Sequence, residues 1–314
     1  MNYTNCGSKK LSAMTIGTVQ LGMNYGIAND GGMPDEQKSF SMLRSAFENG
    51  ITSLDTAHVY GSSEDVIGRF LKTWDGELPF ITTKVPNSRE TDSSKIEGHV
   101  INSVEQSLQR LGVSKVDAVM LHSAADVFTH GTHIAKAMEN LLKKGYTDNI
   151  GVSVYDGKDI EEMLKYPQYS VTQVPMSIFD QRLIASGMVD RLKEQAYTVF
   201  VRSVFLQGLF FLDPDKVTDP ILVEHAVPKI RLLRQIAAAE GMTIAQLAIA
   251  FMRDTAGVTS LVLGADTPQQ VKENIAYFDA PSLSESVMAT LRREFAYVDI
   301  PEIMKVLSRP KPQN

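Results

Sequence analysis

Eight short apolar runs alternate with amphipathic stretches along the whole chain. That alternation predicts an α/β protein of the (β/α)8 or TIM barrel type, a single domain over residues 1–314 with one extra C-terminal helix. Two further observations support this reading. The runs are apolar on both faces, as a parallel sheet covered by helices requires. No Pro/Gly/Ser-rich linker, low-complexity block or internal repeat divides the chain, so eight strand–helix units use up its length.

The expected strands are 13–19 (AMTIGTV), 51–57 (ITSLDTA), 79–85 (PFITTKV), 116–122 (VDAVMLH), 149–155 (NIGVSVY), 171–177 (VTQVPMS), 198–204 (TVFVRSV) and 260–265 (SLVLGA). All are short and rich in β-branched residues. Between them, 36–49 carries Phe40, Met42, Leu43 and Phe47 at helical spacing. Residues 93–111 set Ile96, Val100, Val104, Leu108 and Leu111 on one face, with Gly112 as a stop, and 132–144 ends in Lys143, Lys144 and Gly145. Helical patterns continue over 228–239, 243–253 and 267–278, and 284–296 is one helix more than the alternation needs. Strand–helix alternation implies right-handed parallel crossovers. The competing architecture is an open doubly wound sheet. When such a sheet binds a dinucleotide it carries G-x-G-x-x-G after its first strand, and that spacing is absent.

Composition narrows the function classes. Lys plus Arg number 31 against 37 Asp plus Glu, a net charge of −6, with 43% apolar and 22% charged residues. This is the profile of a folded globular chain rather than a disordered one. No apolar stretch approaches the roughly 18 residues of a membrane span, so no membrane partner is expected. The acidic balance argues against nucleic acid as a partner. Cys6 is the single cysteine, which excludes an intramolecular disulfide and a Cys-based zinc cluster; no metal is expected. The N-terminus MNYTNCGSKKLSAM has no basic region flanking an apolar core, so it does not read as a secretory signal, and a cytoplasmic location is expected.

In a barrel of this kind catalytic groups sit at the C-terminal ends of the strands and in the loops that follow. The second run ends LDTAHVYG, with Asp55 at its end and Tyr60 in the loop; the third ends in TTKV with Lys84; the fourth ends in MLHS with His122. Taken singly, Asp55 reads as a turn cap, Tyr60 as a loop aromatic and His122 as a satisfied core group. Lys84 is harder to dismiss, because a lysine between Ile81 and Val85 in a buried strand is costly unless paired. Asp55 on the neighbouring strand is its expected partner. Together the four support one chemistry. A phenol donates and regains a proton near pH 7 more readily when an ammonium lowers its pKa. An aspartate keeps that ammonium charged, and a histidine hydrogen-bonds a carbonyl oxygen. Such a set protonates the alkoxide formed when hydride reaches a carbonyl carbon.

The chain resembles the aldo/keto reductase family. Asp55, Thr56, Ala57, Tyr60 and Gly61 match the family's D-T-A-x-x-Y-G segment, and Lys84 and His122 match its third- and fourth-strand residues in order and spacing. The likeness runs from IGTVQLG (16–22) to TPQQVKENI (267–275). It implies Tyr60 as general acid, Lys84 tuning its pKa, Asp55 pairing Lys84 and His122 orienting the carbonyl. It also implies NADP(H) or NAD(H) lying extended across the barrel mouth, in keeping with the absent G-x-G-x-x-G.

The cofactor positions follow from the same likeness. Gly17 and Thr18 match backbone near the nicotinamide ribose, with Asp55 beside them. Where the family has a Ser-Asn pair for the carboxamide, this chain has Ser153-Val154, so that contact falls to Ser153 and Gln173. Arg202 stands where many relatives have a ring that stacks on the nicotinamide; its planar guanidinium can also stack. Ser203, Phe205, Gln207 and Gly208 belong to the pyrophosphate-side loop. Gly264, Asp266, Gln270 and Asn274 belong to the adenosine end. Asp266 stands where NADP-preferring relatives place a basic residue or serine, so NAD(H) is expected to serve at least as well as NADP(H), with Lys272 as a partial offset.

Substrate contacts are expected from Tyr25, Tyr60 and His122. Asn24, Asn29 and Asp30 beside Tyr25 suit a polyhydroxylated substrate, and Phe210, Phe211 and Leu212 lie in the long loop near the nicotinamide position. A small carbonyl compound, sugar-like or a simple aldehyde, is the expected partner. The C-terminal RPKPQN is expected to fray. The competing function is a cofactor-binding regulatory subunit with little turnover. Schiff-base chemistry at Lys84 is disfavoured, because a carboxylate-paired lysine stays charged and is a poor nucleophile.

Overall fold

The computed structural model describes residues 1–27 and 31–309. Asn29 and Asp30, and the tail beyond Arg309, lie outside them. The chain opens with an antiparallel hairpin, β1 (Tyr3–Cys6) and β2 (Lys9–Ser12), joined by a two-residue turn in which Gly7 has φ +60°. Eight parallel strands follow: β3 (Met14–Gly17), β4 (Ser53–Asp55), β5 (Phe80–Val85), β6 (Val116–Leu121), β7 (Thr147–Ser153), β8 (Val171–Pro175), β9 (Thr198–Arg202) and β10 (Ser260–Gly264). They close in the order β10-β3-β4-β5-β6-β7-β8-β9. Each of the eight expected strands is present, and β5 and β6 are buried at every position.

The hairpin is an element the periodicity did not announce. It crosses the N-terminal ends of the barrel strands. Lys9 Nζ bonds Asp117 at 3.0 Å and the Pro79 carbonyl at 3.3 Å, and Cys6 accepts from Thr198 Oγ1 at 3.5 Å. Cys6 and Leu11 pack with Phe80, Ala118, Met120, Val171 and Phe200. Burial pushes the Cys6 thiol up, so it stays an inert core group.

The flanking helices start and stop where their caps dictate. Asp35 accepts from Lys38 N at the start of Glu36–Glu48, and Thr243 with Gln246 forms a capping box on Ile244–Arg253. Helix Ile96–Leu111 ends at Gly112, whose φ of +68° is left-handed. Two helices, Glu285–Glu294 and Ile300–Leu307, follow the barrel units, one more than expected. Arg309, expected at the start of a frayed tail, instead pairs with Asp219 at 2.6 Å. Among the described residues no single helix is long and apolar enough to cross a membrane.

Candidate active site

β4 and β5 run side by side, with Leu54 opposite Ile81 and Asp55 opposite Thr82. That register brings the carboxylate of Asp55 to the ammonium of Lys84. Lys84 Nζ donates to both Asp55 oxygens at 2.7 Å and to the Thr56 carbonyl at 3.0 Å. Gln173 Nε2 donates to Asp55 Oδ1 at 2.8 Å. Lys84 is 2% and Asp55 3% exposed. Burial alone disfavours the ammonium, yet the charge and hydrogen bonds of Asp55 outweigh it and hold the Lys84 pKa above its ordinary value. A buried pair of this kind persists because every charged atom has a partner.

Tyr60 sits above this pair. Lys84 Nζ lies 5.1 Å from its ring centroid, and its charge acts on the phenol. Two glycines permit the approach of the Tyr60 loop. A Cβ on Gly61, at φ +54°, would stand 2.1 Å from the Gly22 carbonyl oxygen, and one on Gly22 would stand 1.8 Å from the Tyr60 carbonyl oxygen. The expectation that Tyr60 has a lowered pKa is corrected here. Burial is the largest influence and pushes the phenol up; Lys84 and Arg202 pull it down, Asp55 pushes it up, and the net direction is upward. The ammonium therefore limits the rise and does not reverse it.

His122 meets Tyr60 edge-on, ring centroids 5.9 Å apart at 87°. Burial, then Lys84, then Arg202 lower its pKa to about 4, so the ring is neutral near pH 7. Its Nδ1 is buried and has no hydrogen-bond partner among the described residues. A proton on Nδ1 would have nothing to bond, which favours the tautomer with N–H at Nε2.

Asp55, Tyr60 and Gln173 of this set line a cleft of about 430 Å3 at the C-terminal face of the barrel, while Lys84 and His122 stand behind its wall. Gly17, Thr18, Tyr25, Asp55, Tyr60, Gln173, Arg202, Ser203, Phe205, Gln207, Gly208, Gly264, Asp266, Gln270 and Asn274 all line it. Gly17 and Gly264 are paired at the ends of β3 and β10 in the cleft wall, and the Gln20 carboxamide lies against Gly264, 2.9 Å from where a Cβ would stand. The loop after β9 turns through positive φ at Ser203, Leu206, Gln207 and Gly208. Three of these are not glycine, a strain that a packed surround must hold; Gln207 O accepts from Ile27 N at 2.8 Å.

Several expected side chains are engaged elsewhere. Thr18 Oγ1 donates to the Asp55 carbonyl at 2.8 Å, and Gln270 Oε1 accepts from Asp266 N at 2.6 Å. Asn274 Nδ2 donates to the Gly264 carbonyl at 3.2 Å. Ser153 is buried opposite Gln173 and does not reach the cleft wall. The Arg202 guanidinium lies 4.5 Å from the centroid of the Tyr155 ring, and its Nη2 donates to the Val154 carbonyl at 3.3 Å. Of the loop aromatics, Phe211 lines the cleft, but Phe210 is core, packed 4.7 Å from Phe179.

Other residues escaped the sequence reading. Gln20, Glu273 and Tyr277 also line the cleft. Glu64, 1% exposed, accepts from Thr83 Oγ1 at 2.5 Å and from Arg110 Nε at 2.8 Å, and Arg110 Nη2 bonds His58 Nδ1 at 2.7 Å. This network ties the loop around Tyr60 to the strand carrying Lys84. Its one sequence signal is an acid four residues after Tyr60, at the start of an apolar helix.

A closed parallel barrel with polar groups gathered at the C-terminal strand ends defines a barrel of the enzyme type. The chain belongs to the aldo/keto reductase family, whose model matches residues 13–294. L-glyceraldehyde 3-phosphate reductase of Escherichia coli strain K12 is 26% identical, with 94% of this chain and 93% of that protein covered. NADH-specific methylglyoxal reductase of the same strain is 29% identical, covering 91% of this chain and 95% of that one. A holo aldo-keto reductase structure from Bacillus halodurans shares the fold at a TM-score of 0.76 and 23% identity, covering 93% of this chain and 96% of that one.

Proposed function

We propose that the protein reduces an aldehyde or ketone to an alcohol with a nicotinamide cofactor, and that Tyr60 is the general acid. The observation that carries this reading is the phenol standing over a buried Lys84–Asp55 pair, with a neutral imidazole at its edge. The cleft suits a dinucleotide: its lining joins Gly17 and Gly264, the positive-φ 203–208 loop, and polar residues such as Gln173, Gln270 and Asn274. When bound, the cofactor supplies the hydride. Nε2–H of His122 donates to the carbonyl oxygen and fixes its direction. As negative charge grows on that oxygen, the Tyr60 O–H bond breaks and the proton moves to it. Lys84 stabilises the phenolate left behind, and water returns the proton. Burial keeps Tyr60 protonated until the oxygen needs it, because the phenolate is disfavoured while no charge develops beside it.

NAD(H) is the cofactor favoured by the acidic residues after β10. Asp266 and Glu273 line the cleft from that segment, and among the described residues the one lysine or arginine on the cleft wall is Arg202, at the end of β9. Carboxylates repel a 2′-phosphate and accept from a free 2′-hydroxyl. The relative named as an NADH-specific reductase agrees with this. A panel of aldehydes and ketones, read by loss of nicotinamide absorbance with NADH and with NADPH, tests the function. Turnover with NADH at least equal to that with NADPH is expected. NADPH binding tenfold tighter than NADH would overturn the cofactor preference. Tight cofactor binding without turnover of any carbonyl would favour the regulatory reading.

A further inference from the structure

Arg202 is the one lysine or arginine on the cleft wall among the described residues. Its surroundings differ from those of the other cations near the site. Lys84 is locked to Asp55 and Arg110 to Glu64. Arg202 has no ion pair with any described carboxylate. It is held by an aromatic face, Tyr155, and by one hydrogen bond from Nη2 to the Val154 carbonyl. Neither Nε nor Nη1 has a bond to a described residue. The charge is thus fixed in place by contacts that do not neutralise it.

Its position is at the reactive end. The charge of Arg202 acts on Tyr60, His122 and Tyr25, three groups around the carbonyl position. The acidic pair Asp266 and Glu273 lines the same cleft from the segment that follows β10. The 203–208 loop would hold a dinucleotide's own phosphates, which would leave the guanidinium to the substrate. Tyr25 and Phe211 line the same cleft as Arg202, and the Tyr155 ring carries the guanidinium on its face. A planar guanidinium with unused N–H groups matches a carboxylate or phosphate in two-point contact, and such charge-assisted bonds are about twice as strong as neutral ones.

We infer that Arg202 binds an anionic group on the substrate, so that the protein selects small aldehydes or ketones carrying a carboxylate or phosphate. This rests on the reductase reading, of which it specifies the substrate class.

Matched pairs of substrates test it: succinate semialdehyde against pentanal, and glyceraldehyde 3-phosphate against glyceraldehyde. The readout is the ratio of kcat/KM, charged over neutral, for the wild type, Arg202→Lys and Arg202→Met. A wild-type ratio of about tenfold or more is expected for at least one pair, carried by KM. It should fall as NaCl is raised, drop partly in the lysine variant and approach one in the methionine variant. The pair with the larger ratio names the anion. Isothermal titration with 4-hydroxybutyrate and glycerol 3-phosphate, the corresponding alcohols, reads anion binding without turnover. Turnover of neutral aldehydes with no preference for the charged partner would overturn the inference and leave the reductase reading standing. So would an unchanged ratio in Arg202→Met accompanied by weaker NADH binding, which would assign Arg202 to the cofactor. Anion binding that depends on Arg202, without turnover of any carbonyl, would sustain the anion site and sink the reductase reading. Absence of both turnover and anion binding would overturn both.

Discussion

Replacing Lys84 by methionine removes the charge on which the buried end of the cleft is built. Three bonds are lost, two to Asp55 and one to Thr56 O, while Gln173 keeps its single bond to Asp55 Oδ1. Asp55 is 3% exposed, so water does not readily replace the missing donors. Removing one partner of a buried pair costs about 3–5 kcal/mol. With an m-value of about 3 kcal/mol/M, the urea midpoint should fall by about 1–1.7 M at pH 7. The deficit should shrink at pH 5, because an unpaired buried carboxyl has a raised folded pKa and its penalty fades as it is protonated. Adding Asp55→Asn should recover more than half of the loss, since no buried charge then remains. Urea titrations of both variants at the two pH values decide the matter. A loss under about 1 kcal/mol, typical of an exposed pair, or a double variant as unstable as the summed singles, would refute the reasoning.

Three further outcomes are expected. Gly61→Ala should be destabilised and should reduce carbonyls poorly, because φ is +54° and the new Cβ meets Gly22 O at 2.1 Å; thermal melts and steady-state rates check it, and wild-type values in both would contradict the close approach. Glu64→Gln keeps the shape but removes the charge facing Arg110, so stability should fall by about 1.5–3 kcal/mol, read by urea denaturation. His122 should titrate near 4 by NMR; because its folded pKa lies below the unfolded 6.5, the stability it confers is complete above about 6.5 and is lost as pH falls toward 4. A His122 resonance titrating at 6.5 would contradict its burial against Lys84 and Arg202.

Much of this architecture was legible because two-sided apolar strands leave few alternatives. ITSLDTA and PFITTKV announce strands by composition, and the polar residue ending each stands out against it. The first hairpin was not legible by the same rule. YTNC and KKLS are half polar, and their signal is the two-residue Gly7-Ser8 turn rather than a run of apolar residues. Helix Ile300–Leu307 buries Ile300, Ile303 and Leu307 at helical spacing, but Pro301 reads as a breaker until it is placed at a helix N-terminus. At the site, the Lys84–Asp55 pair followed from the cost of burying a lone lysine. The direction of the Tyr60 pKa did not, because it is a balance between desolvation and charge, and the sequence carries only the charge. Arg202 was recognisable as a departure, but its seat on Tyr155 depends on how β7 and β9 place their ends.

The most direct measurement of the central claim is a single-turnover reaction of Tyr60→Phe, loaded with reduced cofactor and mixed with an aldehyde that the wild type reduces. The ring and its contact with His122 remain, and the phenolic proton is gone. Reduction should slow by about a hundredfold or more, with cofactor affinity little changed. A rate equal to that of the wild type would remove Tyr60 from the proton transfer and with it the mechanism proposed for this site.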